Sequence, residues 1–178
     1  TRDLLKAYLE TGSLPALKPA FTESGIAVFT DSGTKGIREA LETFLSGAGP
    51  GSYAAVQAYL NPLPGVEKAL QGFRHAIRNR HRIATTLGFG PRFLHSTGQL
   101  HKGDGGKGLF IQVTGEDRED LGIPDKPGNG DSSLTFGILK EAQASGDRQA
   151  LLDAGRKVIR FHISGDVVEG IGRLERAV

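Results

Sequence analysis

A chain of 178 residues has the length of one ordinary domain, enough to bury a sizeable core. Its 38% hydrophobic and 24% charged residues, with a mean hydropathy of -0.24, place it in the soluble globular class. No apolar run approaches the roughly 20 residues that span a bilayer, and no charged-then-apolar leader argues for secretion. The absence of cysteine excludes a disulfide framework, a thiolate zinc site and a cysteine nucleophile, and it fits a cytoplasmic location. With 22 basic against 20 acidic residues the net charge is only +2. The densest basic stretch is Arg74, His75, Arg78, Arg80, His81 and Arg82. It lacks interleaved aromatics and reads as a solvated helix face, so neither nucleic acid nor membrane is an expected partner. The chain opens on Thr1 and contains no methionine; it reads as one α/β domain, residues 1–178, taken from a longer chain.

In chain order, Asp3 to Leu9 reads as a helix ending at Gly12. Five apolar runs bounded by Gly, Pro and Asp read as strands: Ile26 to Thr30, Tyr53 to Leu60, Ile83 to Gly88, Leu109 to Val113 and Val158 to Ile163. Between the first two, Ile37, Ala40, Leu41, Phe44 and Leu45 form an apolar stripe on a helix that Thr34 is placed to cap. Val66, Leu70, Phe73 and Ile77 form a second stripe. A third helix is expected from Leu134 to Ala144 and a short one from Arg148 to Ala154. Strands that are apolar throughout imply burial on both faces, hence a three-layer αβα sandwich with a mostly parallel five-stranded sheet. Gly115 to Ser133 reads as an unusually long loop, the kind that carries function or is disordered.

Ligands of open parallel sheets bind outside the carboxyl ends of the strands, which draws attention to two junctions. Thr30 to Gly36 offers hydroxyls, a lysine and a helix start, suited to phosphate, but a plain cap with turn residues is the favoured reading, and it lacks the spacing of a nucleotide loop. Gly88 to Gly103, GFGPRFLHSTGQLHKG, is richer. Its glycines permit close approach of a ligand to the backbone, and Pro91 suits a first helical turn. Taken as one helix, Arg92, His95, Ser96, Gln99 and Lys102 share a polar face suited to an anionic sugar or phosphate, opposite Phe93, Leu94, Thr97, Leu100 and His101. A solvated helix face with His101 half-buried is the plainer reading. His95, His101 and Asp104 have poor spacing for a metal, and no nucleophile elbow supports a hydrolase.

The same sixteen residues resemble the signature of the C-terminal region of bifunctional transaldolase/glucose-6-phosphate isomerase proteins. Gly51 to Leu60 is similar to that family's Gly-Asp-Tyr-Val-Ala strand, with Ser52 in place of Asp. Ile83 to Leu87, Gly108 to Val113, Phe136 to Lys140, Ala142 to Ala144 and Gly146-Asp147 follow the pattern too. The resemblance implies aldose–ketose isomerisation between glucose 6-phosphate and fructose 6-phosphate, within carbohydrate metabolism and without a cofactor. A carboxylate moves a proton between C1 and C2, and other groups open the ring. The Glu-Ser-Thr-Gly-Lys and Asn-Pro-Phe-Asp-Gln motifs of the family are absent, and Glu67 has no motif support as a substitute base. Gln99 to Gly103 also resembles the Gln-Leu-Ile-His-Gln-Gly run of stand-alone isomerases, one residue shorter, whose histidine assists ring opening.

That likeness favours His101, whereas the helical face favours His95, and both stand as candidate ring-opening residues. Gly90, Arg92, Ser96, Thr97, Gln99 and Lys102 stand as candidate phosphate or substrate contacts. Expected partners are a phosphorylated sugar, the upstream isomerase and transaldolase domains of the parent chain and, as one option for assembly, a second copy in a homodimer. The alternative is a non-catalytic module that binds sugar phosphate, or that stabilises or dimerises the fusion enzyme.

Overall fold

Thr1 to Val178 are all described by a computed structural model. Helix α1, Arg2–Thr11, stops where Gly12 takes the left-handed conformation and returns its N–H to the Tyr8 carbonyl. Strands β1, Phe21–Glu23, and β2, Ile26–Phe29, form a hairpin. Its two turn residues, Ser24 and Gly25, both have positive φ, at 50° and 76°, the backbone that a tight hairpin demands. Helix α2, Ile37–Ser46, strand β3, Tyr53–Tyr59, helix α3, Pro64–His81, and strand β4, Ala84–Phe89, follow. Strand β5, Gly108–Gly115, leads through the short pair β6, Gly122–Ile123, and β7, Leu134–Thr135.

The five expected strands all form, but the sheet has six, in the order β1-β2-β8-β5-β3-β4, where β8 is Lys157–Ile163. β8, β5, β3 and β4 are parallel, and the β1–β2 hairpin adds antiparallel along the β8 edge. Helices cover both faces, so the architecture is the expected three-layer α/β sandwich. β1 escaped the sequence because three residues at a sheet edge carry too little alternation to register.

Helix α3 buries Val66, Leu70, Phe73 and Ile77, and α2 buries Ile37, Ala40, Leu41 and Leu45, as their stripes require. Together with Ile171 and Leu174 of α6, Val167–Ala177, they cover Val56, Ile111, Val113, Ile159 and Phe161 in one apolar core. Helix α6 was not expected, because Gly170 and Gly172 dilute its pattern; Gly170 is there because a side chain would collide with Ile163.

Three local expectations are corrected. Thr34 does not cap α2: it bonds Ser32, and the Ile37 N–H donates to Glu23 Oε2 across the β1–β2 hairpin. The two helices expected between Leu134 and Ala154 are one, α5, Phe136–Asp153, capped by Thr135 Oγ1 accepting from the Ile138 N–H. Gly146 lies inside it because a Cβ there would meet Thr1 Oγ1 at 2.5 Å, so α1 crosses at that point. The signature, finally, is not one helix. A 3-10 turn, Arg92–His95, breaks at Ser96 (φ -130°, ψ -99°) before α4, Thr97–Gly103. The break turns Phe93 and His101 inward and leaves Leu100, expected on the apolar face, 73% exposed.

Candidate functional site

Strand β3 leaves through α3 to β4 on one side, and β5 leaves through α5 to β8 on the other. Where neighbouring strands part in opposite directions, a crevice must open beyond their carboxyl ends. It does: a cavity of about 500 Å3 lies there. One wall is Leu60 to Pro62 after β3 together with Phe89 to Arg92 after β4; the facing wall is Asp117, Glu119 to Leu121 and the first residues of α5 through Lys140.

Arg92 is exposed on the rim of this crevice and its guanidinium has no carboxylate partner in the protein. Lys140 Nζ is ion-paired with Asp117, and Asp120 Oδ1 accepts the Gly137 N–H at 2.7 Å. Two of the three carboxylates are thus already engaged, which leaves Arg92 as the cation most available to an anion. Sequence reasoning passed over Asn61, Asp117, Asp120 and Lys140 as site residues. The available signal was positional: they follow directly on β3 and β5 or open the next helix, as the carboxyl-end rule anticipates.

The signature residues go to four places. Gly90 and Arg92 line the crevice. Gly90 does more than admit a ligand, since a Cβ there would stand 2.5–2.9 Å from the Tyr59 ring. Gly88 and Gly98 likewise make room for Phe93, with Cβ positions 3.2 Å and 3.1 Å from its nearest atoms. Phe93 meets the Tyr59 ring edge-on at 5.8 Å. His95, Ser96 and Gln99 face solvent, with Gln99 Nε2 donating to the Leu94 carbonyl and Ser96 Oγ to that of Phe93.

Thr97 and His101 line a separate cavity of about 60 Å3 beneath α4, against Val56, Gln57 and Phe93. His101 is 6% exposed. Its Nδ1 accepts from Gln57 Nε2 at 3.0 Å, which puts its own proton on Nε2. Burial pushes its pKa below the ordinary histidine value; Asp147 and Asp104 oppose that and Lys102 adds to it. Lys102 Nζ meets the buried Asp147 carboxylate of α5 at 2.9 Å. Tyr59 lies fully buried, its hydroxyl held well above the ordinary tyrosine value by burial and by the charge of Asp147.

Asp104 is occupied by the strand that follows it. Burial raises its pKa, but the Gly106 and Gly108 N–H groups, the Tyr53 hydroxyl and Arg156 outweigh this and hold it below the usual carboxylate value. The Thr30 to Gly36 junction is occupied as well: its hydroxyls bond one another and its helix start is taken by Glu23.

No protein-family model and no curated protein matches the chain. Among solved structures, a hypothetical protein from Thermus thermophilus is similar, at a TM-score of 0.61 and 17% identity over 79% of this chain. The match spans only 36% of that protein's chain. At this identity the likeness shows the fold alone. No helix of the chain is long and apolar enough to cross a membrane.

Proposed function

We propose that the chain is the C-terminal module of an aldose–ketose isomerase that interconverts glucose 6-phosphate and fructose 6-phosphate, holding the sugar phosphate in the crevice beyond β3, β4 and β5. The observation that carries this reading is the placement of Gly90-Pro91-Arg92, the head of the signature, on the rim of that crevice opposite Lys140. An unpaired guanidinium suits a phosphate, and about 500 Å3 accommodates a hexose phosphate.

The two histidines constrain the mechanism differently. His101 is packed under α4 and reaches a sugar only if α4 moves. His95 is exposed outside the crevice, so it serves a sugar held by another domain or another copy. In either case the motif that carries the isomerase base is absent from the chain. Of the crevice carboxylates, Asp117 and Asp120 are engaged and Glu119 stands in no such motif, so the proton transfer between C1 and C2 is left to a carboxylate of the rest of the parent chain. The isolated chain is therefore expected to bind sugar phosphate without turning it over, because proximity and general-base terms are missing together.

A titration of the 15N-labelled chain with glucose 6-phosphate tests the reading. Backbone resonances of Gly90, Arg92 and Gly137 are expected to shift, and Arg92→Ala to weaken binding about tenfold, the loss of one charged hydrogen bond. Unmoved resonances at millimolar ligand would sink it. The second reading, a stabilising module without a ligand, is favoured by a specific observation: Gly88, Phe93, Gly98 and His101 of the signature are spent on packing. Under that reading Arg92→Ala changes nothing measurable, whereas Gly90→Ala destabilises the fold.

A further inference from the structure

A second cavity, of about 370 Å3, opens between the carboxyl ends of β5 and β8 and the first turns of α5, and it shares Asp117, Gly137 and Lys140 with the crevice. We propose that this cavity is the subsite for the hydroxylated, unphosphorylated end of the ligand, in which His162 donates a hydrogen bond from Nε2 to a sugar oxygen. This rests on the sugar-phosphate reading of the crevice and deepens it.

The lining selects the chemistry. Glu116, Asp117 and Glu141 stand in one cavity with Lys140, Arg160 and His162. Lys140 and Arg160 are already ion-paired, with Asp117 and Glu141, so this cavity offers a phosphate no free cation to match Arg92 in the crevice. Hydroxyl groups each donate one hydrogen bond and accept others, so a wall that mixes acceptors and donors suits a polyol. Leu14, Leu17 and Phe29 close the other side with apolar surface, as the C–H faces of a sugar require.

His162 is held in one tautomer by its neighbours. Arg160, 3% exposed, is a cation and can only donate: Nε to Thr114 Oγ1 at 3.3 Å, Nη1 to Ser145 Oγ at 3.1 Å, and Nη2 to both Glu141 oxygens at 2.7 Å and 2.9 Å. Thr114 is 2% exposed, and besides Arg160 its hydroxyl meets only His162 Nδ1, at 2.9 Å. The single hydroxyl proton therefore goes to Nδ1, and the imidazole keeps its own proton on Nε2. That Nε2–H makes no hydrogen bond to the protein and belongs to a side chain that lines the cavity. Burial and Arg160 hold the His162 pKa below the ordinary histidine value; Glu141 and Glu116 oppose them, and Lys140 adds to them. The ring is thus a neutral donor at neutral pH, which reads an uncharged oxygen and does not attract an anion.

The test uses the full 178-residue chain, sorbitol 6-phosphate and inorganic phosphate. Long-range 1H–15N spectra of the histidine rings are expected to show His162 as the Nε2–H tautomer. Sorbitol 6-phosphate is expected to shift His162 Nε2 together with the amides of Gly90 and Arg92; inorganic phosphate is expected to shift the amides alone. His162→Phe keeps the ring and removes the donor, so it should lower affinity for sorbitol 6-phosphate about three- to tenfold while leaving that for phosphate unchanged, and His162→Gln should recover part of the loss. Amide shifts at Gly90 and Arg92 with His162 unmoved, or a His162 protonated on Nδ1, overturn the subsite and leave the crevice reading standing. If sorbitol 6-phosphate moves neither set, the sugar-phosphate reading and the subsite fall together. The tautomer and shift measurements are made on the unsubstituted chain, so they decide the matter even if His162→Phe does not fold.

Discussion

On one face of the sheet, Val56, Ile111, Val113, Ile159 and Phe161 meet α2, α3 and α6 in a single apolar cluster. On the other face, alternate residues of the same strands present Gln57, Tyr59, Gln112, Thr114 and Arg160 to α4 and α5, and the apolar contacts there are confined to two small clusters. The first face gains its stability from area removed from water, which is indifferent to direction. The second depends on partners at the right place: Gln57 Nε2, Gln112 Nε2 and Arg160 find theirs, whereas the Tyr59 hydroxyl and the Gln57 and Gln112 amide oxygens have none, and an unpaired group costs about 1–3 kcal/mol. Both open cavities that meet at Lys140 lie beyond the carboxyl ends of the parallel strands, and the second face supplies Arg160 and His162 to the one between β5 and β8. One face thus holds the sheet together, and the other positions chemistry.

Substitutions should separate the two. The largest effect is expected for Phe161→Ala on the apolar face, about 3–5 kcal/mol of stability in urea unfolding, since it leaves a cavity in a packed core. A cost under 1 kcal/mol would show that this face is not the main source of stability. On the polar face, the Lys102–Asp147 pair should behave asymmetrically. Asp147 has a side chain 1% exposed and Lys102 one 25% exposed, so Lys102→Met strands a buried carboxylate at about 3 kcal/mol, whereas Asp147→Asn lets the lysine turn to water and costs less. Equal losses would contradict the assignment of Asp147 as the buried partner.

Gly90→Ala drives a methyl group into the Tyr59 ring and should cost about 1–3 kcal/mol, measured as a lowered urea midpoint. Thr135→Ala removes the hydroxyl that accepts the Ile138 N–H at the start of α5 and should cost about 1 kcal/mol. The smallest and most face-specific effect is on pH. His101 and His162, both against the polar face, have pKa values lowered by burial. A histidine whose folded pKa lies below its unfolded value contributes stability that is complete above about pH 6.5 and lost as pH falls through the folded pKa. Urea midpoints should therefore drop from pH 7.5 to pH 5, and less so in His162→Gln; an unchanged slope in that variant would remove His162 from the account.

Much of the apolar face was legible from spacing. The stripes of α2 and α3 and the five long strands follow from local periodicity, which the chain carries wherever it is placed. Of the candidate site, the signature and its head at Gly90 and Arg92 could be found in the sequence. The rest depended on contacts far apart in the chain. Phe93 needs Tyr59, His101 needs Gln57, Lys102 needs Asp147, and Thr114 needs Arg160 and His162. Helical periodicity placed His95, Gln99 and Lys102 on one polar face, but Ser96 breaks the helix because the Phe93 ring has to enter the layer between sheet and α5. Composition, strand order along the chain and the αβα class were thus fixed by local pattern. Which polar residues are buried, which are spent on packing and which line a cavity was decided by the strand pairing β8-β5-β3-β4. Only that pairing brings residues tens of positions apart within hydrogen-bond reach, and a hydrogen bond, unlike hydrophobic burial, depends on direction and on one named partner.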